Sequence, residues 1–135
     1  MRNRDLARDY LLRADARLKA LDTLFDAESW ADVVQESQEV VELALKGLVR
    51  SAGIDPPRVH DVSDLLLSER ERFPDVGTNE LDDLVSASRE LRRDRELAFY
   101  GTEDLTPSGF YRREDAERAR RSARRVVQVA RPLVR

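Results

Sequence analysis

Apolar residues recur at steps of three and four in five separate stretches of this chain. No stretch of any strength alternates at the period of two that a half-buried strand needs. That pattern confines the chain to amphipathic helices packed on one another. The first stripe is Leu6, Tyr10, Ala14, Leu18, Leu21 and Phe25, which predicts a helix over about Arg4–Phe25. The second is wider: Trp30, Val33, Val34, Val40, Val41, Ala44, Leu45 and Leu48, on a helix that follows the connector Asp26–Ser29 and runs to about Ala52. Its polar side is an acidic ridge of Asp32, Glu36, Glu39 and Glu42.

Punctuation between the stripes is equally clear. "SAGIDPP" puts Gly53 at the expected C′ position of the second helix, with prolines beyond it. A third helix over about His60–Phe73 opens on "HDVSDLLL", where His60 or Asp61 can cap free N–H groups, and Pro74 ends it. A fourth, about Glu80–Ala98, turns Leu81, Leu84, Val85, Ala87, Ser88, Leu91 and Leu97 inward. "YGTEDLTPSGFY", Tyr100–Tyr111, has no helical period and reads as a long loop of the kind that often carries function. The last helix, about Arg113–Leu133, has Ala116, Ala119, Ala123, Val126, Val127 and Ala130 on one side. The expected fold is all-α: an up-and-down antiparallel bundle of four long helices plus a shorter one, in one domain over 1–135.

Gly47 lies inside the second helix, where it costs about 1 kcal/mol relative to Ala. No phosphate-loop pattern surrounds it, so the expectation is a packing site where another helix backbone passes close by.

Composition removes several classes of function. There is no cysteine, hence no disulfide framework, thiolate metal site or Cys nucleophile. One histidine with scattered acids lacks the converging ligands of a transition-metal centre, so no metal or cofactor is expected. The first residues are charged and no apolar run reaches membrane-spanning length, so neither a signal peptide nor a membrane association is expected and the chain reads as cytoplasmic.

Arginine supplies 22 of the 24 basic residues. Nine lie between Arg112 and Arg135 against three acids, a local net charge of +6 in a chain whose overall charge is −3. Two readings stand: a solvated helix face whose charges suit the helix dipole, or a phosphate- or acid-binding face that includes Arg120 and Arg124. Near the end of the fourth helix, Arg92, Arg93 and Arg95 admit the same two readings. Tyr100 and Tyr111 flank the loop, either packing its ends onto the bundle or stacking on a base.

Three blocks then resemble a known family. "ESQEVVELALKGLVRSAG", "PPRVHDVSDLL" and "FYRREDAERARRSARRV" are similar, in the correct order, to successive blocks of HEPN domains. The resemblance spans nearly the whole chain. It implies a helical bundle that dimerises and pairs with a minimal nucleotidyltransferase, commonly as toxin and antitoxin. It also implies a site. Active members are metal-independent RNases with an Arg–x(4–6)–His motif, in which His serves as general acid/base and Arg holds the scissile phosphate.

This chain lacks that histidine in either of two registers. In one, Arg93 takes the arginine place, Ala98 the histidine place and Tyr100 that of a tyrosine which accepts AMP in some members. In the other, Phe99–Tyr100 replaces an Arg–Tyr pair and Asp104 falls where histidine would be. The only histidine is His60, which matches the "HD" block instead. The expectation is a HEPN-like homodimer that binds RNA, a nucleotide or a nucleotidyltransferase partner, without standard RNase activity. Its expected ligand-binding residues are Arg93, Tyr100, Asp104, Tyr111, Arg120 and Arg124. Two alternatives remain: a divergent metal-independent RNase built on Arg93, Arg95 and Tyr100 or His60, and a structural scaffold that docks an acidic protein.

Overall fold

The structure is a computed structural model that describes residues 2–56, 62–100 and 105–134, with side chains at 3–56, 62–93 and 105–134. Among the described residues six helices follow one another: α1 Arg2–Asp26, α2 Trp30–Ser51, α3 Val62–Ser68, α4 Thr78–Tyr100, α5 Pro107–Phe110 and α6 Arg113–Ala130. Two 3₁₀ turns, Arg70–Arg72 and Arg131–Leu133, extend α3 and α6. No β-strand occurs among the described residues. The all-α bundle of four long helices is the expected one.

α2 is the centre of the bundle, packed against α1, α4 and α6. Its second half, Val40 to Val49, is buried at every position except Glu42 and Lys46. Seven of the eight residues expected on its apolar side are buried; Trp30 is half-buried, edge-on to Phe25 at 5.0 Å between ring centres. α6 meets α2 through the six small residues read from its sequence, all buried. Alanine and valine there leave little side chain between the two backbones, which lets the helices pack closely.

The helix ends follow local rules. α2 closes with the paired bonds of a Schellman motif: the Gly53 N–H donates to the Arg50 carbonyl at 2.9 Å and the Ile54 N–H to that of Val49 at 3.2 Å. Gly53 has φ +79°, the left-handed conformation this cap requires. At the start of α6, the Arg112 N–H donates to Asp115 Oδ2 at 2.9 Å, satisfying a free amide and placing an acid at the positive helix end.

Two expectations about helix bounds need correction. The stretch read as a loop contains the short helix α5: Thr106 is its N-cap, accepting from the Gly109 N–H at 3.1 Å, and Pro107 follows in the first turn. The third helix does not run unbroken to Phe73. It tightens into a 3₁₀ turn after Ser68, which accompanies burial of Phe73 and brings Arg72 Nη2 to the Ala52 carbonyl at 2.7 Å. The proposed caps His60 and Asp61 lie outside the described residues.

The buried line of α1 is also rotated by one residue over its first two turns. Ala7 and Leu11 are buried, ahead of Ala14, Leu21 and Phe25, whereas Leu6 and Tyr10 are only half-buried, with Tyr10 packed against the edge of the core. Gly47 explains the rotation. A Cβ there would stand 2.3 Å from Leu11 Cδ2, 3.2 Å from the Ala7 carbonyl oxygen and 3.3 Å from Tyr10 Cβ. The α1 backbone therefore sits against Gly47, the close helix approach that the sequence anticipated.

This contact generates a test. Gly47→Ala gains about 1 kcal/mol of helix propensity but overpacks Leu11, at a cost of about 1–3 kcal/mol. The net expectation is destabilisation by about 1 kcal/mol. In a Leu11→Ala background the main clash is gone, so the same change should no longer destabilise. A double-mutant cycle from urea unfolding should give coupling of at least about 1 kcal/mol. Strict additivity would show that the two residues do not meet.

Candidate functional site

α4 carries its charge on the side away from the core. Its inward line is Leu81, Leu84, Val85, Ser88 and Leu91, all buried as expected, and Ala87 is half-buried. One turn holds three arginines. Arg89 Nη2 pairs with Asp64 of α3 at 2.7 Å, and its Nε donates to Ser63 Oγ at 3.3 Å. Arg92 Nη2 reaches across to Glu42 of α2 at 2.5 Å. Arg93 is exposed and has no ion-pair partner among the described residues. The three border an open groove of about 560 Å³ with Ser86 and Glu90.

Glu90 joins this groove to a second, smaller cavity of about 20 Å³ between α2, α4 and α6, where Tyr111 and Arg118 stand. Tyr111 is buried, edge-on to Phe110 at 5.0 Å, so it packs the end of the connecting segment onto the bundle. Phe110 and Leu105 are partly exposed beside it.

The arginines of α6 are mostly engaged within the fold. Arg120 Nη1 and Arg124 Nη2 both bond Asp22 Oδ1 of α1, at 3.1 and 2.7 Å. The Arg120 guanidinium also lies over the Phe25 ring, 3.8 Å from its centre. Arg131 pairs with Asp15 of α1. On the other flank, Arg125 approaches Asp83 of α4 at 3.8 Å. Along α6 itself, Arg113 pairs with Glu117 at 3.2 Å and Arg118 with Asp115 at 2.9 Å. Three acids of α1 and α4, Asp15, Asp22 and Asp83, thus offset half of the +6 of this segment. Arg121 has no ion-pair partner among the described residues.

The acidic ridge of α2 is used in the same way. Arg17 of α1 bonds Glu36 at 2.7 Å; that hydrogen bond raises the guanidinium pKa against the opposing effect of burial. Among the described residues no three His, Asp or Glu side chains converge on a common point. No helix among the described residues is long and apolar enough to cross a membrane.

The expected site residues therefore divide. Arg93 and Tyr111 sit on α4 and at the α4–α6 cleft, connected through Glu90. Arg120 and Arg124 lie on the opposite flank of α6, against α1. The α4 backbone continues through Tyr100, but the side chains of Arg95, Ala98 and Tyr100 lie outside the described residues, as do His60 and Asp104. Sequence reading passed over Arg89 and Glu90. The signal for them was the spacing of Arg89, Arg92 and Arg93, three and four residues apart and hence neighbours on one helix surface.

With this geometry in hand, the comparisons are decisive about kinship. The family model of the HEPN domain matches residues 7–133. This chain belongs to the HEPN family. The crystal structure of TT1696 from Thermus thermophilus resembles it with a TM-score of 0.78 and 26% identity, over 94% of this chain and 97% of that one. No curated protein matches. In this HEPN chain, the arginine of the first motif register, Arg93, is exposed on α4 beside the groove.

The two α6 arginines bound to Asp22 should separate by mutation. Arg124→Ala removes a half-exposed pair and should change unfolding free energy by no more than about 0.5 kcal/mol. Arg120→Ala also removes the stack on Phe25 and should cost about 1 kcal/mol or more. Chemical denaturation of the two variants provides the comparison.

Proposed function

We propose that this HEPN domain is a binding module for an RNA or nucleotide phosphate, without standard RNase chemistry. It acts as a homodimer and as the partner of a minimal nucleotidyltransferase in a toxin–antitoxin-type pair. The observation that carries the binding role is Arg93: an exposed guanidinium without an ion-pair partner among the described residues, on a groove it shares with Arg89 and Arg92. A guanidinium suits bidentate capture of phosphate oxygens. Arg89 and Arg92 are roughly half-exposed, with side-chain exposures of 50% and 41%. They can turn to a stronger anion at small cost, because exposed ion pairs hold weakly.

The expected lack of standard RNase chemistry rests on the missing histidine. Arginine stays protonated and does not shuttle protons near neutral pH. The histidine place is filled by Ala98 or Asp104, and the only histidine is His60. Tyr100 and Asp104 enter this reading through the motif registers alone, and buried Tyr111 forms the packed floor beside the groove. Arg120 and Arg124 form a second basic edge that requires release from Asp22 to meet a ligand, so they rank behind Arg93.

The test uses purified protein with single-stranded RNA and tRNA. Binding should weaken steeply as salt rises, since each displaced phosphate counterion contributes to the slope. Arg93→Gln should reduce affinity about tenfold, and Arg124→Gln should do much less. The RNA should remain intact. Cleavage would replace this reading with the divergent RNase. Salt-independent affinity would remove the nucleic-acid role and favour the scaffold. A co-purifying nucleotidyltransferase encoded next to the gene would support the partner assignment.

A further inference from the structure

A second concave site lies away from α4, where the first turns of α1 meet the end of α2. A pocket of about 260 Å³ is lined by Asn3, Arg4 and Ala7 of α1, by Arg50, Ser51 and Gly53 at the end of α2, and by the segment after α6. Arg50 is its most buried charge, with a side chain only 20% exposed. Nη1 of Arg50 donates to Asn3 Oδ1 at 3.0 Å and Nη2 pairs with Asp55 Oδ1 at 2.7 Å. Its Nε–H is buried and meets no acceptor. A buried charged donor without an acceptor is an uncommon arrangement that favours whatever can fill it.

The charge around the pocket is unbalanced. Arg4 lines it and has no ion-pair partner among the described residues. Arg72 stands close by, its Nη2 held by the Ala52 carbonyl and 3.7 Å from where a Cβ on Gly53 would be. Asp55 is the acid paired with Arg50, and at 84% exposure it is a loosely held partner. Volume limits the occupant. At about 260 Å³ the pocket lies at the lower edge of the roughly 300–1,000 Å³ range of drug-sized ligand sites, which favours a compact anion over a larger ligand.

We propose that this pocket is a phosphate-class oxyanion site, in which Arg4 and Arg50 hold the anion and Asp55 competes with it. A tetrahedral oxyanion has enough acceptors to take the Arg50 and Arg4 guanidinium forks and the Asn3 amide together, and a shift of the Arg50 side chain toward it would bring the buried Nε–H within reach. Bound there, it ties the start of α1 to the end of α2. This site is independent of the α4 groove.

The experiment uses the full chain carrying Arg93→Gln, so that the α4 groove does not contribute. Inorganic phosphate is titrated at constant ionic strength held with chloride, and both the thermal midpoint and the ³¹P line width are followed. The expected result is a saturable rise in midpoint with ³¹P broadening. Arg4→Gln should weaken the apparent affinity about tenfold through loss of a charge-assisted bond. Asp55→Asn should tighten it, because the competing carboxylate is gone. Arg50→Lys keeps the charge but loses the fork and should abolish saturation; if that variant fails to fold, Arg4→Gln and Asp55→Asn decide. Glycerol phosphate in a parallel titration separates an ester-accepting site, where it binds as well, from one for free phosphate, where it binds less. A response matched by chloride, or an affinity unchanged in Arg4→Gln and Asp55→Asn, overturns the proposal and leaves the Arg50 Nε–H to an ordered water.

Discussion

The rest of the bundle depends on the close approach of α1 to α2 at Gly47. α2 is packed against three other helices, so each neighbour must fit a helix whose second half is buried at every position except Glu42 and Lys46. Where α1 crosses Gly47, a missing Cβ lets the Ala7 carbonyl and Leu11 settle onto the α2 backbone. That contact fixes the rotation of α1, and the rotation decides which of its charges face which neighbours. Asp15 and Asp22 point toward α6, and Arg17 points toward Glu36. One glycine in α2 thus governs the pairing of arginines on a helix about seventy residues later in the chain.

The charge pattern becomes intelligible in that frame. The net charge of −3 hides a strongly basic last helix, an excess of acids on α2 and α4, and the acids Asp15 and Asp22 on α1. Folding brings these together as exposed or half-exposed pairs. Individually such pairs add little stability. They leave several cations without ion-pair partners among the described residues, Arg93 and Arg4 among them, each at a concavity. A nucleic-acid surface spread evenly over α6 is not what this arrangement favours.

Much of the fold was legible because helix periodicity and its punctuation are local. The α2 and α6 stripes, the Gly53 cap and the packing role of Gly47 all rest on neighbouring residues or on one strong rule. The phase of α1 was not legible, because Leu6–Tyr10 and Ala7–Leu11 both satisfy three- and four-residue steps, and only contact with Gly47 chooses between them. α5 carried a readable signal in Thr106–Pro107, masked by the Gly and Pro around it. At the site, the missing histidine was plain in the sequence. The capture of Arg120 and Arg124 by Asp22 was not, since those residues lie 98 and 102 positions apart.

The central proposal is that anions meet this protein on α4. Arginine Nε–H resonances in a ¹H–¹⁵N spectrum, followed during titration with a short oligoribonucleotide, test it most directly. The largest shifts should fall on Arg89, Arg92 and Arg93, with Arg120 and Arg124 nearly unmoved. Shifts centred on Arg120 and Arg124, with Arg93 silent, would contradict it.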